Sequence, residues 1–239
     1  MSDQAPDAPT DRARNAAELA LWLTEAAALR RAGQADPLRA TRRQRLREFQ
    51  SARLAATHAD LLTHPRYQQA ARFFLSDLYS PKDLSARDAE VERVLPIMTN
   101  VLPLSGLRAL GHAAELDALS ERFDTAMTEA LGARLDSPLR QADYAEAWRQ
   151  VGNRPGRMHQ IALIRATGDM LDGIAHKPGL RMLLKTMRKP AQLAGLGELQ
   201  GFLERGFDAF RSMRRADEFL DLVIEREQRL ADALFDGAS

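Results

Sequence analysis

The stretch Phe73-Phe74-Leu75-Ser76-Asp77-Leu78-Tyr79-Ser80-Pro81-Lys82-Asp83-Leu84-Ser85-Ala86-Arg87-Asp88 joins an aromatic helix end, a proline turn and a new helix start within sixteen residues. Phe74/Leu78 and Leu75/Tyr79 stand at i,i+4, so the helix end carries a broad apolar face with one phenol at its edge. Ser80-Pro81 stops that helix, because proline lacks a backbone donor and restricts the residue before it. Ser85 and Asp88 then have capping-box spacing, with the shorter acid in place of glutamate, and start the next helix near Ala86.

The rest of the chain reads the same way. Alanine, leucine and arginine dominate and the apolar spacing is helical nearly everywhere, which predicts an all-α, multi-helix bundle of about ten helices, mostly antiparallel neighbours, with no sheet. Helix one spans about Asp11 to Arg31 and ends at Gly33. Asp36-Pro37 supplies an N-cap and a first-turn proline for a long second helix reaching Leu62. His64-Pro65 restarts the chain for the helix that ends in the aromatic segment. The fourth helix runs towards Asn100 and contains Pro96, which should bend or break it near Val94. A fifth runs from Pro103 to Gly132. The loop Gly132 to Gln141, with Asp136-Ser137-Pro138, reads as the best internal hinge. Further helices are predicted near Asp143 to Val151, Arg157 to Ala175, Gly179 to Arg188, Leu196 to Met213 and Asp217 to Phe235, with Lys189-Pro190 as a boundary. The expected organisation is a disordered tip over residues 1–10, a basic helical hairpin over 11–64 and a main bundle over 65–236.

Composition narrows the function classes. The 239 residues carry 34 basic and 33 acidic side chains, a formal net charge of +1, so a role at nucleic acid or an anionic surface has to be local. The absence of cysteine removes disulfides, thiolate nucleophiles and thiolate metal sites. Met1 to Pro9 is acidic and proline-spaced, unlike a secretory or transit signal, and no run reaches the ~20 apolar residues of a membrane span. The expected location is the cytoplasm.

The aromatic segment also carries a resemblance. Phe73-Phe74-Leu75-x-Asp77-Leu78-Tyr79, Pro81-x-Asp83, Arg87-Asp88 and Glu92-Arg93-Val94-Leu95-Pro96 resemble a family of uncharacterised bacterial helical proteins with an FFLxDLY signature. The similarity continues through Gln160 to Ile164, Pro190-Ala191, Phe202-Leu203-Glu204-x-Gly206-Phe207-x-Ala209-Phe210 and Arg226-Glu227, roughly residues 65 to 236. It implies a helical fold and a bacterial origin. It carries no activity and no catalytic residue.

Candidate chemistry is sparse. His112 and Glu115 share a helix face, but a di-iron bundle needs Glu-x-x-His twice and a zinc protease needs His-Glu-x-x-His, and neither is present. His159 has no evident partner in the sequence. Asp77, Asp83, Asp88, Glu90 and Glu92 crowd one region but are interleaved with Arg87 and Arg93 and lack calcium-loop spacing. Gly195-x-Gly197-x-x-x-Gly201 has the wrong spacing and context for a dinucleotide site, although helix donors near Leu196 suit an anion. Neither a nucleophile elbow nor a Walker sequence occurs. No catalytic residue, metal ligand or cofactor is assigned, and the enzyme question stays open with a leaning towards none.

Two basic stretches stand out. Arg30 to Arg53 holds eight arginines against Asp36 and Glu48, and Lys177 to Lys189 holds five basic residues and no acid. Arg39, Arg43 and Arg47 recur every four residues. The leading expectation is a non-catalytic protein that binds a macromolecular partner, an acidic protein or a polyanion, through Arg39, Arg42, Arg43 and Arg47 or through Arg181, Lys185, Arg188 and Lys189. The other expectation is a small-molecule or cofactor binder with a pocket at Phe74, Asp77 and Tyr79, where the apolar face of Phe73, Phe74, Leu75, Leu78 and Tyr79 would otherwise be core.

Overall fold

The computed structural model describes residues 10–78 and 85–237. Tyr79, the Ser80-Pro81 turn, residues 1–9 and the side chains of Ser85 and Arg87 lie outside the described residues. Within them the chain forms eleven α-helices and no strand. Thr10 caps α1 (Asp11–Gln34), accepting from the Ala13 amide. Asp36 caps α2 (Pro37–Thr57) through both carboxylate oxygens, with Pro37 in the first turn where its missing donor costs nothing. The long second helix does not reach Leu62 unbroken: His58, at φ −114°, closes α2 and opens the short α3 (Ala59–Thr63).

Next come α4 (Gln68–Phe73), which passes into a π-helical turn over Phe74–Leu78, and α5 (Ser85–Val101). Pro96 sits inside α5 without ending it. Its carbonyl accepts from Thr99 Oγ1 and Asn100 Nδ2, and Arg12 of α1 donates to the terminal carbonyls of Thr99 and Leu102 at 2.7 and 2.8 Å. The helix end is thus satisfied from outside.

The longest helix, α6 (Leu104–Leu131), is the spine of the molecule. It packs along α1, α2, α7 (Gln141–Val151) and α8 (Arg154–Ala175). Between α6 and α7 the expected hinge is a pinned segment instead. Gly132–Asp136 forms a 3-10 turn whose Leu135 is fully buried, while Arg45 donates to the Leu135 carbonyl at 2.7 Å and Arg42 pairs with Asp136. Burial of the leucine and two guanidinium ties remove the freedom that the glycine and proline suggested.

Three helices complete the chain: α9 (Leu180–Leu193), α10 (Gly197–Met213) and α11 (Asp217–Asp236). Helix α9 continues through Pro190, past the expected boundary, and closes at Gly195 (φ 66°). The Leu196 amide returns to the Ala191 carbonyl at 2.8 Å and the Gly195 amide to Gln192 at 3.0 Å. This double return bond satisfies the last carbonyls and needs a left-handed residue, which glycine supplies without strain. Arg93 of α5 also donates to the Gly195 carbonyl, fixing the α9–α10 turn.

Three apolar clusters hold the helices together. One gathers Leu61, Tyr67, Phe73, Phe210, Met213 and Phe219 from α3, α4, α10, α11 and the turns beside them. The second joins Leu46, Met127, Leu135, Tyr144, Trp148 and Ile161, and the third Leu19, Leu107 and Ala114. Residues 11–64 therefore place a buried leucine in each cluster. Beside the second, the Arg157 guanidinium is stacked between Phe123 and Trp148, 3.6 and 3.8 Å from their ring centres. Burial lowers its pKa to about 10, so it stays cationic at neutral pH.

Candidate functional site

The arginines of α2 are turned inward. Glu121 of α6, only 3% exposed, takes Arg30 Nε at 3.1 Å, Arg47 Nη2 at 2.5 Å and Arg43. Arg47 also reaches Asp124 at 3.1 Å, and Arg30 reaches Asp88 and Asp117. Arg39 pairs with Glu129, and Arg42 lies 2.7 Å from Asp136. Burial, then the neighbouring Arg47, lowers the Arg43 pKa to about 10 against the opposing charge of Asp124, so the guanidinium beside Glu121 is still charged at neutral pH. The expected cationic stripe is thus a seam joining α2 to α6, because acids far away in sequence neutralise it. It offers a polyanion little free charge.

The aromatic segment is packed against α10 and α11. Phe73 is buried, 5.5 Å from the Phe202 ring centre, and a side chain at Gly206 would meet the Phe73 ring at 3.0 Å, so α10 approaches α4 closely there. Phe74 is half-buried against Phe210 and Phe219, with centroids at 6.2 and 5.5 Å. Asp77 is buried and accepts from Arg205 Nε at 2.8 Å. Ring packing and an ion pair occupy the space that a ligand would need at Phe74 and Asp77, and Tyr79 lies outside the described residues.

Other signals find partners too. His159 bonds Glu115 across helices at 2.7 Å, so it is not isolated, and Glu115 serves it rather than His112. His58 is buried with Nε2 3.1 Å from Glu227, a pair 169 positions apart that no local spacing announces. Burial tends to raise the Glu227 pKa, but hydrogen bonds and charge from His58 and Arg53 outweigh it and leave the carboxyl below its usual range. The anion position at the start of α10 is filled by the chain itself, since Glu90 accepts from the Leu199 amide at 2.8 Å. No group of three or more metal-ligating side chains occurs among the described residues. Open clefts among the described residues include one of about 560 Å³, lined by Pro65, Arg66, Ser212, Arg214 and Arg215, and one of about 220 Å³ at the neutralised Arg39 and Arg42.

Helix α9 differs from all of these. At 100° per residue, Arg181, Lys185, Arg188 and Lys189 fall in one sector about 100° wide. Arg188 holds Glu204 of α10 with Nε–Oε1 at 2.9 Å, and this bond, with one from Gln200, lowers the Glu204 pKa to about 2. Lys185 acts on Glu204 through its field alone, while Lys177, Arg181 and Lys189 make no side-chain hydrogen bond or ion pair among the described residues. No acid occurs from Lys177 to Gly197.

Next to the cations lies a second sector that charge counting missed. Met182, Leu183, Met187 and Leu193 are 70%, 56%, 43% and 91% exposed, half of the eight large exposed hydrophobic side chains among the described residues. The third sector anchors the helix: Ala191 is buried, Leu180 and Leu184 are half-buried, and Gln200 donates to the Leu184 carbonyl at 2.8 Å. Projection of residues 180–193 on a helical wheel would have revealed the apolar sector.

No helix among the described residues is long and apolar enough to cross a membrane. No curated protein and no solved structure matches the chain. One family model does match, over residues 29–239, so it begins within α1 and takes in all of α2 as well as the segment from 65 onward. The chain belongs to the family described as domain of unknown function DUF8198.

Proposed function

We propose that this chain is a non-catalytic binding protein and that α9 is its docking face for a negatively charged macromolecular partner. The carrying observation is the contrast in charge use. Every arginine on the α2 stripe is paired within the chain, whereas α9 with the preceding Lys177 keeps Arg181, Lys185 and Lys189 turned outward with no acid nearby in sequence. Unpaired exposed cations cost little in the free protein and attract anionic surfaces over a Debye length of ~10 Å at ~0.1 M salt. The small-molecule reading gains no support from the described residues, because the rings at Phe74 pack on one another.

Salt-gradient elution of the full chain from immobilised heparin tests this. Replacing Lys177, Arg181, Lys185 and Lys189 by Gln should move elution to much lower salt. Replacing Arg39 and Arg42 by Gln should leave it nearly unchanged. The opposite ranking would return the docking role to α2.

A further inference from the structure

We infer that the partner of α9 is an anionic lipid surface, on which the helix lies in the plane of the interface. This inference rests on α9 being the docking face. Cations alone would serve any polyanion, but the adjoining apolar sector of Met182, Leu183, Met187 and Leu193 has no use on a phosphate backbone. An interfacial helix needs both sectors: apolar side chains enter the acyl boundary while lysine and arginine stems reach back to the headgroups.

Geometry separates lipid from protein partners. The anchored sector leaves α9 no freedom to be wrapped, because Ala191, the Leu184 carbonyl and Arg188 already face α10. A partner that encloses a helix in a groove is therefore blocked, and a flat surface is not. Fourteen residues make a helix about 21 Å long and ~10 Å wide, so the free strip covers roughly 200 Å². That is far below the ~800 Å² per side of a stable protein interface, while a bilayer needs no shaped counterpart. A second copy of the chain fits poorly too, since the apolar sector has the cationic one along its flank and pairing would bring like charges together. The helix is too short to span a bilayer, so the contact is peripheral.

The test is co-sedimentation of the full chain with vesicles of zwitterionic lipid and with vesicles containing roughly 30% anionic lipid, at ~50 mM salt and above. Binding is expected to the anionic vesicles, to fall as salt rises, and to drop roughly five-fold for each α9 cation replaced. Met182→Gln, Leu183→Gln and Leu193→Gln together should lower vesicle affinity at least ten-fold while heparin elution stays unchanged. These sites are exposed, so circular dichroism should show the same helix content. Equal vesicle binding by this triple variant overturns the lipid inference. So does absent vesicle binding with α9-dependent heparin retention intact, which leaves the docking reading standing and points to an acidic protein. Loss of both overturns both. A wild-type dimer that the triple variant converts to monomer shows that a second copy covers the sector, and also overturns the lipid inference.

Discussion

Helices α2 and α9 are both strongly basic, yet the fold uses their charge in opposite ways. On α2 the guanidiniums reach Glu121, Asp124, Glu129 and Asp136, and the charge becomes part of the packing between α2 and α6. On α9 one cation of the four is spent on Glu204 and the others face outward beside exposed methionine and leucine. The choice of residue follows the use. Arginine, with its planar fork of donors, makes up the whole internal seam, while lysine, a compact hydrated charge, supplies Lys185 and Lys189 beside Arg181 on the free face. Local charge density therefore says little about availability; the distribution of acids across the fold decides it.

The largest test of this contrast is Glu121→Ala. Removing the carboxylate leaves Arg43, itself 6% exposed, without its counter-charge, and the uncompensated buried cation should cost about 3–5 kcal/mol in a urea unfolding measurement. A loss below ~1 kcal/mol, the range of surface pairs, would mean that α2 is as free as α9.

Phe74→Ala asks how firmly the aromatic segment belongs to the packed side of the comparison. The ring is half-buried against Phe210 and Phe219, so about 2 kcal/mol should be lost, less than for a fully enclosed ring. No loss of thermal midpoint would place the segment with the exposed surfaces.

Acid gives a graded test. Glu227 has a lowered pKa in the folded chain, so its stabilising contribution is complete above the ordinary carboxyl value of about 4.5 and disappears as pH falls through the lower folded value. The melting temperature should decline across that window, and Glu227→Gln should flatten the decline. Helix α9 has no acid to titrate, so its retention on heparin should not weaken over the same range.

The smallest effect belongs to α9. Gln at Lys177, Arg181, Lys185 and Lys189 should change unfolding free energy by no more than ~0.5 kcal/mol, as expected for exposed sites without partners. A larger change would reveal structural pairing there.

Much of the fold was readable from periodicity and punctuation. Asp36-Pro37 marks the start of α2 and Leu107 to Leu131 keeps its spacing along α6 because caps and stripes are local properties. Helix α5 runs through Pro96 towards Asn100 as its spacing predicts, whereas Pro190 does not bound α9, which continues to the glycine cap at Gly195. The two candidate faces were harder. Arg39, Arg43 and Arg47 align on one face, but their partners lie on α6, 74 positions away for Arg47 and Glu121, and only the fold brings them together. On α9 both the cations and the apolar spacing are legible, but only the fold shows that Met182, Leu183, Met187 and Leu193 stay exposed, since burial is a tertiary quantity.

The two tryptophans give the chain a pair of optical reporters. Trp148 lies against the Arg157 guanidinium at 3.8 Å, and Trp22 of α1 lies 5.4 Å from Arg122 of α6. Each indole emits beside a cation whose position depends on a different junction: Trp148 reads α7 against α8, Trp22 reads α1 against α6. Fluorescence of Trp148→Phe would follow the amino-terminal hairpin alone, and Trp22→Phe the interior alone. Coincident traces in urea would describe one cooperative body, and an earlier Trp22 transition would describe a hairpin that lifts away while the remaining helices hold.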